Sequence, residues 1–300
     1  ESKIMTTILL NALSIMLVLF LALLLKKIGI LHQKDGALTS KMVVYLTLPA
    51  TILIGVNHTK LSNIFFILMF MGLFSNLLLV FLGKFIGRKA TVEERGLFMF
   101  DLSGYNIGNF SIPFVSSFFP AAIPFLAMFD MGNSLMVTGT TQAIVELSSD
   151  ILQEIFGVLF RNPPFVVYIF MFILAIFGLS FPDEWLIPIR PLANANTLLS
   201  IFTIGLFMEF RLPKGKLKLV LKILTWRYLL AFILASLVYF FLPFPAIIKE
   251  ILLLIFFCPM SFLHMIQAIE LGNDKALAGL TISLSMFISL ILMSIIVIIL

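Results

Sequence analysis

The sequence predicts an all-α polytopic membrane protein, and three observations support this class: the composition, ten long apolar runs, and the positions of the basic residues. Hydrophobic residues make up 61% of the 300 residues and charged residues 12%, whereas soluble domains are about half apolar and one-quarter charged. This composition excludes a cytosolic enzyme, a disordered chain and a secreted disulfide scaffold. Cys258 is the single cysteine of the sequence, so an internal disulfide is excluded as well.

The ten apolar runs are long enough to cross about 30 Å of hydrocarbon, which takes roughly 20 helical residues. Spans exposed to lipid are expected to be helical because a helix satisfies its own backbone hydrogen bonds. The predicted spans are 4–25, 38–57, 62–87, 96–119, 122–146, 164–181, 186–209, 221–242, 247–271 and 276–300. The first run ends at Lys26 and Lys27 without a small-residue cleavage site, so we expect a retained span and not a signal peptide.

The basic residues lie in the short segments between these runs. The net charge is +5 and the pI is near 9.3, but this placement indicates membrane orientation and not a nucleic-acid partner. With the N-terminus outside, fifteen of the 20 Lys and Arg residues fall on the inner side. The positive-inside rule therefore predicts a multi-pass protein of the cell membrane with both termini facing outward.

The longest inner connection, residues 147–163, separates a first five-span repeat (1–146) from a second (164–300). Because five is odd, the second set enters the membrane from the opposite face. A 5+5 inverted repeat of this kind is typical of secondary transporters. The connection itself is predicted to be an amphipathic helix on the cytoplasmic surface. Its apolar face would carry Ile151, Leu152, Ile155, Phe156 and Leu159.

The fourth span of each set carries a proline near its middle, Pro113 in span four and Pro259 in span nine. Proline removes an amide donor, disfavours helix at the preceding residue, and is favourable at the start of a new helix. Each span should therefore break at mid-depth and leave the N-terminus of a half-helix at the bilayer centre. Two positive dipole ends there would stabilise an anion. The alternatives are ordinary proline kinks and, for Gly104 and Gly108, a close packing face.

The polar residues around these prolines are the candidate substrate ligands. We expect a carboxylate to be held by backbone amides that follow each proline and by neutral side-chain donors. The candidates are Asn106, Asn109, Ser111, Pro113, Pro259 and Ser261. The oxygens of Asn106, Asn109 and the broken backbone would also suffice for a sodium ion, and no other metal site is expected.

Further polar residues inside the spans are candidates for coupling transport to an ion or a proton, because such groups are costly in a membrane. They are Asp101, Asp130, Asn133 and His264. Each has a structural alternative: Asp101 as an interfacial group, Asp130 as a hydrogen-bond anchor, Asn133 as part of a polar stripe, and His264 as a buried structural histidine. Arg227 in span eight is expected to snorkel to the inner surface, with a counter-ion role for the substrate or Asp101 as the alternative.

Several segments resemble the auxin efflux carrier family, whose bacterial members are malate-permease-like proteins. They are Asn106-Ile107-Gly108-Asn109-Phe110-Ser111-Ile112-Pro113, Tyr45-Leu46-Thr47-Leu48-Pro49-Ala50, Phe160-Arg161-Asn162-Pro163-Pro164 and the Pro259 break. The resemblance covers essentially the whole chain and extends to the wider bile acid/auxin transporter superfamily. It implies a fold like that of sodium/proton antiporters and bile acid symporters, with crossed, broken helices four and nine.

The same resemblance implies a scaffold domain from spans 1, 2, 6 and 7 and a transport domain from spans 3 to 5 and 8 to 10. It also implies a homodimer formed through the scaffold domain. The family's plant members carry a large loop between spans five and six. The short connection at 147–163 fits a prokaryotic member in the inner (plasma) membrane.

The predicted function is secondary active transport of a small organic anion, a mono- or dicarboxylate such as malate or an auxin-like acid, by elevator-like alternating access. The expected partners are this anion and the lipid bilayer, with sodium or a proton as the coupled ion and no other cofactor. An ion channel or a uniporter driven by the membrane potential is the alternative. An intramembrane aspartyl protease is remote because Asp101 and Asp130 are expected about 10 Å apart along the membrane normal, so we expect no enzyme activity.

Overall fold

The structure is a computed structural model that describes residues 2–147, 157, 159–211 and 213–299. Residues 148–156 and 158 of the predicted amphipathic helix at 147–163 therefore lie outside the described residues. We number the helices after the predicted spans and give the halves of an interrupted span the letters a and b. The helices are α1 (Ser2–Lys27), α2 (Asp35–Val56), α3 (Asn63–Ile86), α4a (Val92–Leu102), α4b (107–116), α5 (Pro120–Glu146), α6 (Pro163–Ile176), α7 (Arg190–Phe207), α8 (Leu217–Phe241), α9a (Ala246–Phe256), α9b (Phe262–Glu270) and α10 (Lys275–Ile299).

The protein is all-helical and has the long apolar helices of a multi-pass membrane protein. Among the described residues, six helices are long and apolar enough to cross a membrane, namely α1, α2, α3, α5, α8 and α10. The other apolar segments are shorter or interrupted: α6 has 14 residues, α7 has 18, and the fourth and ninth predicted spans are each divided into two half-helices. A short helix, Asp183–Leu186, and a 3₁₀ turn, Ile187–Ile189, precede α7.

The long helices keep large apolar side chains on their surface. On α3 the exposed residues are Phe66, Ile67, Phe70, Phe74, Leu78, Phe81 and Phe85. Soluble monomers rarely expose a continuous apolar face of this kind. Hydrocarbon is the solvent that suits it, because lipid chains are as apolar as these side chains.

One compact unit contains α1, α2, α6 and α7 together with Gly108–Met131. The side chain of Lys26 donates to Leu206 O at 3.1 Å, which places a positive charge at the carbonyl end of α7, where it is favourable. Gly205 brings α1 and α7 together, since a Cβ there would lie 2.6 Å from the Ala22 Cβ.

The second unit contains Phe70–Ile107, α8, α9a, α9b, α10 and the part of α5 that begins at Gly132. At the start of α4a, the Thr91 hydroxyl accepts the Glu94 amide at 3.3 Å as an N-cap. Hydrogen bonds from its own backbone amide and from Thr91 hold the pKa of the exposed Glu93 below its ordinary value. Lys216 donates to Glu94 Oε1 at 2.8 Å and so ties the segment before α8 to α4a.

Candidate functional site

Spans four and nine are each interrupted by a break in the helix, and both breaks lie in the second unit. The first break is residues 103–106 and the second break is residues 257–261. Pro113 lies at the start of the α-helical segment Ile112–Ser116, but the π-helical turn Ile107–Ser111 precedes that segment, so the first break lies earlier in the chain than Pro113. The chain leaves the helix earlier because Gly104 adopts a φ of +68°, a left-handed conformation that glycine takes without strain. Pro259 lies within the second break, two residues before the N-cap Ser261 of α9b.

The two breaks pair with each other like two antiparallel strands. The Asn106 amide donates to Pro259 O at 3.0 Å, and the Ser261 amide donates to Gly104 O at 3.2 Å. Backbone that leaves a helix inside a membrane has no water to bind, so it needs partners from protein. Each break supplies the partners of the other, and this pairing holds the two interruptions together.

The residues at the centre of the pairing, Tyr105 and Met260, form the antiparallel bridge and turn their own backbone groups away from each other. The Tyr105 amide donates to Asn133 Oδ1 at 3.0 Å, and Asn133 Nδ2 donates to Tyr105 O at 2.9 Å. On the other side, the Met260 amide donates to Ser285 Oγ at 3.0 Å. The Asn133 side chain thus exchanges two hydrogen bonds with the Tyr105 backbone, as a neighbouring strand would. Its oxygen also accepts a hydrogen bond from Asn76 Nδ2 at 3.1 Å. Its role in ion coupling stays a prediction.

Arg227 of α8 joins the carbonyl sides of both breaks and is only 2% exposed. Its Nη1 donates to Leu102 O at 2.9 Å and to Ser103 O at 3.0 Å, and its Nη2 donates to Cys258 O at 3.0 Å. The prediction that Arg227 snorkels to the inner surface is wrong. The end of a helix leaves carbonyls without amide partners, and the planar guanidinium has enough donors to bind carbonyls of two helix ends at once.

This arrangement places one positive charge at two negative helix poles, the carbonyl ends of α4a and α9a. Each pole is equivalent to about half a negative charge, so one guanidinium balances both. The ring of Tyr105 lies beneath the guanidinium, with Cζ 5.0 Å from the ring centroid. Asp101 is buried in the last turn of α4a, which begins at Val92 and not near residue 96.

The two glycines of the predicted packing face each allow a close approach. A Cβ on Gly104 would collide with the imidazole of His264, and a Cβ on Gly108 would lie 2.8 Å from Leu48 Cδ2. His264 is fully buried in α9b, and its Nδ1 lies 2.8 Å from Phe100 O. A carbonyl only accepts, so this contact assigns the proton to Nδ1. The structure gives His264 a packing role beside the first break, and its part in proton coupling stays a prediction.

Four predicted site residues belong to the first unit: Asn109, Ser111, Pro113 and Asp130. Ser111 and Asp130 are buried, and Asn109 is half-buried. Asp130 Oδ2 accepts the hydroxyl hydrogen of Tyr168 in α6 at 2.7 Å. This bond is the anchor that the sequence offered as the alternative to coupling for Asp130, whose role in coupling stays a prediction.

Some candidate residues carry buried polar atoms without a hydrogen-bond partner in the described part of the chain. They include Asn106 Nδ2 and Asp101 Oδ2 in the second unit, and Asn109 Oδ1 and Ser111 Oγ in the first. Buried polar groups in folded proteins are nearly always satisfied. Water, an ion or a ligand can satisfy such atoms, and the Nδ2 donor of Asn106 suits an anion.

The sequence reasoning missed Asn76 and Tyr168. Asn76 Oδ1 accepts the Gly104 amide at 2.5 Å, and its Nδ2 donates to Gly72 O at 2.6 Å, so it supports the first break directly. Both residues place a hydrogen-bonding group inside an otherwise apolar span, which is the signal that could have identified them.

Within the residues that the structure describes, no three His, Cys, Asp or Glu side chains come together as a metal site. Comparison with known proteins gives no family: no protein-family model matches the chain, and neither does any curated protein.

Proposed function

We propose that the protein is a secondary active transporter of a small organic anion, a mono- or dicarboxylate, which binds where the two helix breaks meet. The observation that carries the proposal is the pairing of the breaks under Arg227, which donates to carbonyls of both. Transporters use interrupted helices to present half-helix ends to a substrate near the bilayer midplane.

The charges of the site favour an anion. Arg227 balances the carbonyl poles of α4a and α9a, so within the second unit the N-terminal pole of α9b is left for a ligand. The side chain of its N-cap, Ser261, makes no capping hydrogen bond to the described residues. Asn106, whose backbone pairs with the second break, adds an amide donor that is unpartnered within the described chain. A carboxylate would accept from this amide and lie at the half-helix end, as anions do at helix N-termini.

The helix bounds support the proposal of a ten-span, 5+5 inverted repeat. Leu217 of α8 follows Asn63 of α3, and Ala246 of α9a follows Val92 of α4a, at the same separation in sequence. The start of α10 follows the start of α5 at nearly that separation. The two first half-helices have 11 residues each. A duplicated unit would produce this regularity.

The resemblance to auxin efflux carriers supports a more specific proposal. The chain would work as a malate-permease-like member of that family, with α1, α2, α6 and α7 as a scaffold that forms a homodimer. The helices α3 to α5 and α8 to α10 would carry the substrate by an elevator-like movement. Both termini would face outward from the cell membrane, and a sodium ion or a proton would supply the driving force.

Uptake of radiolabelled malate into proteoliposomes tests the proposal, with proton, sodium and voltage gradients imposed one at a time and radiolabelled acetate as the monocarboxylate. We expect saturable uptake of at least one acid that one ion gradient accelerates. Flux that does not saturate would indicate a channel, and flux driven by voltage alone would indicate a uniporter. Uptake of both acids at the rate of protein-free vesicles would contradict the proposal.

A further inference from the structure

We infer that the first unit contains a second binding site, a cavity that takes an uncharged molecule rich in hydrogen-bond donors, such as a polyol. The cavity has a volume of about 640 Å³, within the usual range of small-molecule sites. Its walls come from α2, the end of α4b, the start of α5 and α7, all within the first unit. Five lining residues have polar side chains: Thr51, Ser116, Ser117, Asn194 and Thr197.

The hydroxyl hydrogens of this wall are engaged by backbone carbonyls. Ser116, Ser117 and Thr197 donate to Pro113 O at 3.1, 3.0 and 3.3 Å. Thr51 donates to the carbonyl one turn earlier in α2 at 2.9 Å. Three hydroxyls converge on one carbonyl because α4b ends here, where helix carbonyls lose their amide partners.

A hydroxyl whose hydrogen is engaged still has lone pairs that accept. Four hydroxyl oxygens therefore make this wall a set of acceptors, and the exposed Asn194 amide adds one group that both donates and accepts. A complementary ligand must therefore supply the hydrogen-bond donors. A polyol carries hydroxyl donors along its whole length.

Charge selects against the other ligand classes. None of the residues that line the cavity is charged. A carboxylate would face acceptor oxygens without a compensating cation, and an ammonium group would lack a carboxylate to balance it. The remaining wall is apolar and includes Ile54 and Ile123, which suits the carbon chain of a neutral molecule.

The residues that line the cavity lie in the first unit, whereas Arg227, Asn106 and Ser261 of the proposed anion site lie in the second. Binding of a polyol here does not require the protein to transport an anion. The two proposals can therefore fail independently.

Site-directed thiol labelling tests this inference, with xylitol as the probe. Cys258 is buried, so a cysteine introduced at Asn194 (Asn194→Cys) would be the thiol that a fluorescent maleimide reaches. We expect xylitol to slow the labelling of this variant saturably, and malate at the same concentration to leave the rate unchanged. Ser180→Cys is the control, because Ser180 is exposed and outside the cavity lining. Its labelling should not respond to xylitol.

A second substitution tests the acceptor wall. Thr197→Val, added to Asn194→Cys, removes one acceptor and should raise the xylitol concentration for half-protection by about two- to twelve-fold. Thr59→Val makes the same chemical change outside the lining and should leave that concentration unchanged. The inference is overturned if xylitol does not slow the labelling or if malate slows it equally. It is also overturned if the xylitol concentration for half-protection is the same with and without Thr197→Val.

Discussion

Replacing Arg227 with methionine should destabilise the protein more than any other loss of a single positive charge on α8. The guanidinium donates to three carbonyls at 2.9 to 3.0 Å and is almost fully buried. Methionine retains much of the side-chain length but donates no hydrogen bond, so Arg227→Met leaves Leu102 O, Ser103 O and Cys258 O without this partner. The pairing of the two breaks then loses its only shared cation among the described residues.

The magnitude follows from those acceptors. A buried acceptor left unsatisfied costs about 1 to 3 kcal/mol. Three carbonyls at the lower end of this range give about 3 kcal/mol in total, which is the figure we adopt because they share one donor group. At about 2 to 4 °C per kcal/mol for chains of this size class, the apparent melting temperature should fall by at least about 6 °C. Arg227→Lys keeps the positive charge but lacks the planar guanidinium. Its melting temperature should therefore lie between those of the wild type and Arg227→Met.

Thermal unfolding of the purified protein in one detergent, followed by tryptophan fluorescence or static light scattering, measures this effect. Lys222→Met is the matched control. It removes a cation from the same helix, but Lys222 is exposed and lies over the Phe98 ring at 5.0 Å, so its loss should cost less than about 1 kcal/mol. Equal melting temperatures for Arg227→Met and Lys222→Met would refute the assigned role of Arg227.

Three other predictions concern the breaks and the buried carboxylate. Gly104→Ala should lower stability by about 1 to 3 kcal/mol more than Gly178→Ala in chemical unfolding, because both have positive φ but only Gly104 faces a buried imidazole; equal losses would show that φ alone matters. Pro259→Ala should slow malate uptake more than Pro113→Ala, since only Pro259 lies in a break, and the reverse order would contradict this reading. Asp130→Asn should keep the wild-type melting temperature and change which gradient drives uptake; an unchanged gradient dependence would leave Asp130 as an anchor for Tyr168.

The helical class and the approximate helix bounds could be predicted from the sequence because hydropathy alone determines them. Span three, predicted at 62–87, is the helix Asn63–Ile86, and span ten, predicted at 276–300, is Lys275–Ile299. Uniform apolar runs of this length have few competing interpretations. The ten-span repeat itself stays a prediction.

The position of the first break could not be predicted from Pro113. Proline lacks an amide hydrogen, and this predicts a break at Pro113. However, Pro113 lies within α4b, which begins with the π-helical turn Ile107–Ser111. The break occurs at Gly104 because distant groups bind the open backbone there, including the side chain of Asn76. Such long-range partners leave no local pattern in sequence.

The role of Arg227 could not be predicted from the sequence for a similar reason. Hydropathy places the residue within span eight and says nothing about which helix ends its side chain reaches. Its acceptors come from two breaks far apart in sequence, and the carbonyls of Ser103 and Cys258 belong to backbone, which any residue type provides. Only the folded chain brings these groups together.

The central claim is that the paired breaks bind an organic anion, and equilibrium binding tests it most directly. Purified protein is titrated with malate and with its uncharged diamide, and the same titrations are repeated with Asn106→Ala. The account predicts that malate binds more tightly than the diamide, and that Asn106→Ala weakens malate by about two- to twelve-fold through loss of one donor while barely changing the diamide. Equal affinities of the wild-type protein for malate and the diamide would contradict the claim.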